Sequence, residues 1–283
     1  MQLDFQPASR VREVAAEIEE LGYGALWVPE AVGREAMSHA SLLLGATERL
    51  VVANGVAAIW HRSPWATAAA QRLLADASAG RYLLGLGVSH QPMVEAMLGE
   101  SYERPLTRMR NYLDAVDEAF VISPPPADAP PRVLAALGPK MLRLVADRAW
   151  GALSYFVPPE HTSVAREALG DGPMLLVEQG CVLSTDAEEA RTVARKHTVR
   201  YLTLPNYVNN LRRLGWGDDD LADAGSDKLV DAIVAWGDAD AIAARIAAHH
   251  AAGADHVCLQ VLDADETALP LPAWRDLAPA LLA

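Results

Sequence analysis

Apolar residues along this chain fall into short continuous runs rather than alternating patterns. Runs such as Val51–Ile59 and Tyr82–Gly87 read as strands buried on both faces. Segments of helical spacing lie between them. Several end in Gly or a small residue just before the next run, as in EELGYGALWVPEA, ADASAGRYLLGLG, ADRAWGALSYFV and HAAGADHVCLQVL. Gly just past a helix suits the left-handed conformation that stops it. Two buried strands joined by a helix make a parallel βαβ unit, because parallel strands need a long crossover. Leu50–His90 is the most compact instance, with Pro64 opening its helix and Gly80 closing it.

The pattern predicts strands at Leu3–Phe5, Ala25–Pro29, Val51–Ile59, Tyr82–Gly87, Arg132–Leu137, Ala152–Val157, Met174–Leu183 and His256–Leu262. Helices are predicted at Ser9–Leu21, His39–Thr47, Pro64–Ala79, Arg104–Ala119, Lys140–Arg148, Pro159–Leu169, Ala187–Tyr201, Ala239–Ala252 and Pro272–Leu282. That is about the strand number of a closed (β/α)8 TIM barrel. The expected architecture is therefore a single α/β domain over residues 1–283, with a shortened or missing first strand. Ser123–Pro131 is a polyproline-like connector. Residues 201–236 exceed a simple βα connection, include an amphipathic helix at Ser226–Trp236, and read as an insertion before the last strand, a lid or dimer element.

Composition narrows the function classes. Hydrophobic residues make up 51% of the 283, aromatics only 6%, so the core rests on Val, Leu, Ile and Ala. A net charge of -13 argues against nucleic acid and anionic membrane surfaces, which need basic patches. No apolar run reaches membrane-helix length, and MQLDFQPASR lacks the apolar segment of a signal peptide, so the expected compartment is the cytoplasm. Cys181 and Cys258 sit in strand-like runs and read as small core residues.

In a barrel, chemistry sits at the C-terminal strand ends. This rule selects Pro29–Glu30, Asn54–Arg62, Gly87–Gln91, Leu137–Lys140, Ser154–Phe156, Glu178–Gln179 and Val261–Asp263. Gly85-Leu86-Gly87-Val88-Ser89-His90 is not a dinucleotide fingerprint, because His90 stands where the third glycine would be. Leu137-Gly138-Pro139-Lys140 ends a strand and opens a helix, where N–H groups and the helix dipole favour an anion. His61 and His90 lie at strand ends and suit acid–base work, whereas His249 and His250 are expected in solvent near a helix end. No histidine or cysteine spacing supports a metal site, and no G-x-S-x-G elbow is present.

Ala53-Asn54-Gly55-Val56, Arg62-Ser63-Pro64, Ser78-Ala79-Gly80-Arg81 and Gly85-Leu86-Gly87 together resemble the luciferase-like monooxygenase superfamily, specifically its coenzyme F420-dependent oxidoreductases. The Gly138-Pro139 turn and AGADHVCLQVL fit the same pattern, and the resemblance covers essentially the whole chain. It implies a barrel that binds F420, or alternatively FMN, at its C-terminal mouth, and a homodimer. It also implies a non-prolyl cis peptide near Asn54-Gly55-Val56.

Carried over by position, the resemblance puts the cofactor ring on Asn54, Gly55, Val56 and Ala57, with Glu30, Tyr155 and Phe156 at its edges. Gly87, Val88, Ser89 and His90 would form one phosphate loop, and Leu137, Gly138, Pro139 and Lys140 the other. Trp60, His61 and Arg62 would line the substrate side, and Glu30 or His90 would serve as the catalytic acid or base. Where several F420 enzymes carry an Asp-His pair, this chain has Pro29-Glu30-Ala31. The implied reaction is hydride transfer between the deazaflavin and a small organic substrate, with a moderately apolar carbonyl or alkene suiting the mouth. The alternatives are an FMN-dependent monooxygenase and, prompted by the short first strand, a non-catalytic barrel with a degraded cofactor site.

Overall fold

The computed structural model describes residues 2–282. The chain divides into two compact units, one of Leu3–Ala135 with Leu144–Gly151, the other of Ala136–Arg143 with the chain from Ala152 onward.

In the first unit the apolar runs become parallel strands. They are β1 (Ala25–Val28), β2 (Val51–Asn54), β3 (Ala57–Ala58), β4 (Tyr82–Gly87) and β5 (Arg132–Ala135). β2 lies between β1 and β4, aligning Leu26 with Val52 and Val52 with Tyr82. β3 and β5 both pair with β4, through Ala57 with Leu86 and Gly85 with Val133. Every residue of β4 is buried, as its unbroken apolar run requires. The helix between β2–β3 and β4, Pro64–Ala77, starts as its sequence dictates: the Ser63 side chain accepts the Ala66 N–H at 3.2 Å, and Pro64 fills the first turn.

The second unit holds β6 (Gly151–Ser154), β7 (Met174–Val182), β8 (Val234–Trp236) and β9 (His256–Val261). β7 pairs in parallel with both β8 and β9, through Gly180 with Val234 and Leu176 with His256. The inserted segment forms helices at Pro205–Arg213, Asp218–Leu221 and Asp227–Ile233. Their apolar faces, including Tyr207, Leu211, Leu229 and Val230, share one core cluster with Phe156, Val182 and Val193.

Several expectations are corrected. Leu3–Phe5 is not a strand but part of a 3-10 turn, Gln2–Phe5. The Arg34 guanidinium donates to the Leu3 and Gln6 carbonyls, and the Arg34 N–H to Asp4 at 3.0 Å, so a carbonyl that a ladder would use is taken. Val51–Ile59 is two strands, interrupted at Gly55 and Val56. The helix expected over Ser226–Trp236 stops at Ile233, where β-branched Ile233 and Val234 pass into β8. Helix Gln91–Leu98 follows β4 directly, closed by a left-handed Gly99. His249 is buried rather than solvated: Thr162 Oγ1 and Gln179 Oε1 each lie 2.8 Å from one of its ring nitrogens. Both cysteines are free.

Candidate active site

In the first unit, Glu30 follows β1 and turns its carboxylate inward. It accepts the Ala36 N–H at 3.1 Å and the Ala58 N–H at 2.8 Å, and Arg62 binds both oxygens, with Nη1 at 2.8 Å from Oε2. His61 Nδ1 lies 3.2 Å from the same Oε2. Burial pushes the Glu30 carboxyl up, but the Arg62 bonds and the two N–H donors more than offset it, so it ionises below its usual range. Arg62 also donates to the Ala58 carbonyl at 3.1 Å and to Glu35 at 2.9 Å. Glu35 caps helix Ala36–Leu44; burial raises its carboxyl, yet the Ser38 and Met37 donors and Arg62 bring it down to about 2. The Glu30 side chain is 4% exposed and the His61 side chain 25%, so the histidine is the member of the group that meets solvent.

The stretch from Asn54 to Ala57 links β2 to β3. Asn54 is fully buried, with Nδ2 on the Ala36 carbonyl at 3.3 Å and Oδ1 accepting the Tyr82 hydroxyl at 2.5 Å. Gly55 donates its N–H to Val28 at 2.8 Å, and the Gly55–Val56 peptide is cis, as the resemblance implied. The neighbouring glycines have a packing reason. A Cβ at Gly85 would sit 1.8 Å from the Asn54 carbonyl oxygen, and one at Gly87 2.4 Å from a Val56 methyl.

The loop after β4 is pinned from outside. The Trp60 indole donates to the Val88 carbonyl at 2.8 Å, and the Tyr102 hydroxyl to the Ser89 carbonyl at 3.1 Å. Arg108 stacks over Trp60 at 4.2 Å, and burial pushes the Tyr102 phenol up to about 12. His90 opens helix Gln91–Leu98 as its N-cap residue.

In the second unit, Leu137 and Gly138 lie past the end of β5, and Pro139–Lys140 open helix Pro139–Arg148. The Leu137 carbonyl faces His161 Nε2 at 3.0 Å. Burial lowers the His161 imidazole, and Arg213 lowers it further, against the pull of that carbonyl. Arg213, on helix Pro205–Arg213, brings Nη2 to 3.5 Å from where a Cβ at Gly138 would stand. The same nitrogen donates to Asn210 Oδ1 at 3.0 Å. Asn210 Nδ2 and His161 Nδ1 are buried without a hydrogen-bond partner.

Tyr155 and Phe156 lie past β6 in an aromatic cluster. The Tyr155 hydroxyl donates to Gln260 at 2.9 Å and shares a 2.8 Å hydrogen bond with the Tyr201 hydroxyl, while Phe156 stacks on Tyr201 at 5.0 Å. Beneath them is Glu178, whose carboxyl burial pushes up to about 8, against a hydrogen bond from the Phe156 N–H.

The structure thus brings Glu30, His61 and Arg62 into one cluster, and Trp60, Val88 and Ser89 into another. It adds Glu35, Tyr102, Asn210 and Arg213, which sequence reasoning had not singled out. Glu35 shows a capping signal, an acid just before an apolar helical run. The other three show none, because each is recruited by an element distant in sequence.

Residues 2–256 match the luciferase-like monooxygenase family. The chain belongs to this family. It is 25% identical, over 96% of its length and 94% of the relative's, to a Mycobacterium tuberculosis protein whose name assigns it coenzyme F420-dependent oxidoreductase activity. Its fold matches the coenzyme F420-dependent tetrahydromethanopterin reductase of Methanopyrus kandleri, with a TM-score of 0.77 and 17% identity over 99% of this chain and 96% of that one. It also matches the oxygenating constituent of 3,6-diketocamphane monooxygenase of Pseudomonas putida, solved with FMN, with a TM-score of 0.69 and 18% identity over 96% and 90% of the two chains. The fold is therefore the α/β fold of parallel strands seen in luciferase-like barrels, and the protein is an enzyme of that family. Among the described residues no helix is long and apolar enough to cross a membrane, and no group of side chains could hold a metal ion.

A phosphorylated deazaflavin or flavin fits the donors present. The side-chain-free Gly138 and the Arg213 guanidinium beside it are what an anion at this turn would use.

Proposed function

We propose that this luciferase-like enzyme is an F420-dependent oxidoreductase acting on a small organic substrate. The His61 imidazole, held by the buried Glu30 carboxylate at 3.2 Å, carries the reading, because it supplies a proton donor and acceptor at a strand end. The names of the relatives favour F420 over FMN.

When bound, the deazaflavin would accept or supply the hydride at its C5. The chain's own groups do the rest. Gly55, Val56 and Ala57 form the platform for the ring, and Asn54 fixes that platform through its bonds to Ala36 and Tyr82. Glu30 Oε2 lies 3.2 Å from His61 Nδ1, a contact that orients the ring and leaves Nε2 to give or take the substrate proton. Arg62 is spent on holding Glu30 and Glu35, so it positions and does not meet substrate. Trp60, pinned to Val88, lines the substrate side and keeps water off the reacting centre. Within the first unit, Gly87, Val88, Ser89 and His90 are the candidates for cofactor phosphate; within the second, taken by itself, Leu137, Gly138, Pro139 and Lys140 are candidates for an anion and Tyr155 and Phe156 for a ring edge. A homodimer belongs to the same proposal.

Fluorescence titration of the purified protein with F420 and with FMN tests the reading. F420 is expected to bind and FMN to bind weakly or not at all. Tight FMN binding without F420 binding favours the monooxygenase reading, for which the FMN-bound Pseudomonas putida fold match is the supporting observation.

A further inference from the structure

The segment from Ala31 to Glu35 joins β1 to helix Ala36–Leu44 and has no regular structure of its own. The two carboxylates of the acid–base group nevertheless stand at its ends. Glu30 precedes it, Glu35 closes it, and Arg62 is bound to both. Glu30 Oε1 also accepts the Ala36 N–H at 3.1 Å, while its Oε2 faces His61. The carboxylate that holds the imidazole therefore takes its position from the far end of the loop. A segment with no ladder of its own opens easily, so the group needs a second anchor.

The N-terminal turn supplies it. Arg34, inside the loop, spends its guanidinium on the carbonyls of Leu3 and Gln6 and its N–H on Asp4 Oδ1 at 3.0 Å. Its Nη1 also stands 3.9 Å from that Asp4 oxygen. Gly33 lets the two segments close, because a Cβ there would run into the Asp4 carboxylate. The contact is sheltered, with the Asp4 side chain 12% exposed and that of Arg34 25%. A guanidinium is a rigid fork that can hold two carbonyls at once, which a single ammonium cannot. A first strand would have spent these carbonyls on a ladder. As a turn, the segment offers them to Arg34. Leu3, Asp4, Gln6, Arg34 and the group they serve all lie in the first unit.

We propose that Arg34 is a positioning residue: it locks the N-terminal turn against the loop and so sets the Glu30–Arg62–Glu35 frame that holds the His61 imidazole. Asp4 shares the task through the Arg34 N–H. That His61 moves a proton rests on the function proposed above, but the holding of its ring does not. The segment where a first strand was expected is thus a working part of the site rather than a remnant of a degraded one.

Diethyl pyrocarbonate, which acylates neutral imidazole nitrogens, is the probe. Its rate at each histidine of the full-length protein is read by peptide mass, with exposed His250 as the reagent reference and fully buried His249 as the report of unfolding. Arg34→Gln is expected to speed modification of His61 about tenfold, the factor that one lost charge-assisted hydrogen bond gives, while His249 stays protected. Arg34→Lys, which keeps the charge and reaches one carbonyl at a time, is expected to fall between wild type and Arg34→Gln. Asp4→Asn is expected to speed the reaction less than Arg34→Gln. Arg10→Gln, whose partner Glu13 lies on the same exposed helix surface, should leave the rate unchanged. If Arg34→Gln also exposes His249, the Arg34→Lys and Asp4→Asn proteins decide. An unchanged His61 rate in the Arg34 and Asp4 variants, or an equal rise in Arg10→Gln, overturns the proposal. Arg34-dependent protection of His61 in a protein that binds neither F420 nor FMN upholds the positioning role and refutes the function. F420 binding with a His61 indifferent to Arg34 does the reverse.

Discussion

Glu30 and His61 touch each other but answer differently to substitution. The Glu30 side chain is 4% exposed and is the buried partner of Arg62, so Glu30→Gln leaves the guanidinium with only the half-exposed Glu35 carboxylate. Breaking such a pair costs about 3–5 kcal/mol. At about 2–4 °C per kcal/mol for a chain somewhat smaller than this one, the melting temperature should fall on the order of 10 °C. His61 is partly exposed and contributes little packing. His61→Gln should keep the melting temperature within a few degrees and lower kcat by about 10²–10⁴, the range for loss of a general acid or base. Calorimetry and steady-state rates measure both. A His61→Gln enzyme with unchanged kcat removes histidine from the mechanism. Glu30 was visible in the sequence because it stands just past a buried run. Arg62 was singled out too, as a substrate-lining residue, but its pairing with Glu30 was not legible, because the two lie 32 residues apart and only the fold brings them together.

At the scale of elements, β3 and β4 depend on missing side chains. A Cβ on Gly87 would meet a methyl of Val56, a side chain that can be shortened. A Cβ on Gly85 would meet the Asn54 carbonyl, which cannot. Gly87→Ala should therefore destabilise, and adding Val56→Ala should recover part of the loss, giving a coupling on the order of 1 kcal/mol in a double-mutant cycle. Gly85→Ala would also crowd a Val56 methyl at 3.1 Å, but it should gain far less from Val56→Ala, because the clash with the Asn54 carbonyl at 1.8 Å remains. Urea unfolding of the single and double variants decides, and equal rescue of both glycines contradicts this geometry. The G-x-G run was legible as a strand end, but its cause was not. The cause is the close approach of Asn54 and Val56, which no spacing within the run encodes. The parallel βαβ order was legible because runs such as YLLGLG can only be buried on both faces. The last turn of Ser226–Trp236 was misread because three residues of β8 take their conformation from pairing with β7 rather than from local preference.

The whole molecule carries opposed buried titrations, and together they fix where it is most stable. Burial lowers His39, His197 and His249 to about 4, with Asp4 opposing at His39 and nearby cations adding at the other two. Unfolded histidine titrates near 6.5, so stability present above pH 6.5 is lost as pH falls toward 4. Glu178 runs the other way: burial lifts it to about 8 from an ordinary 4.5, so its contribution is complete below pH 4.5 and is lost as pH rises toward 8. Between pH 4.5 and 6.5 the histidines outnumber the acid, and unfolding takes up a net of about two protons. His161 and His256 are also lowered, mainly by burial, and steepen the trend. Stability should therefore climb with pH by about 3 kcal/mol per unit or more, peak near pH 6.5, and then decline by up to about 1.4 kcal/mol per unit toward pH 8. Below pH 4.5 the ion-paired Glu30 and Glu35, both held low, add to the loss. Urea midpoints at pH 5, 6.5 and 8 measure the curve. Glu178→Gln, which keeps the shape and removes the titration, should flatten the alkaline side and leave the acid side intact. A Glu178→Gln protein that still loses stability from pH 6.5 to 8 would show that another buried group sets the alkaline limb.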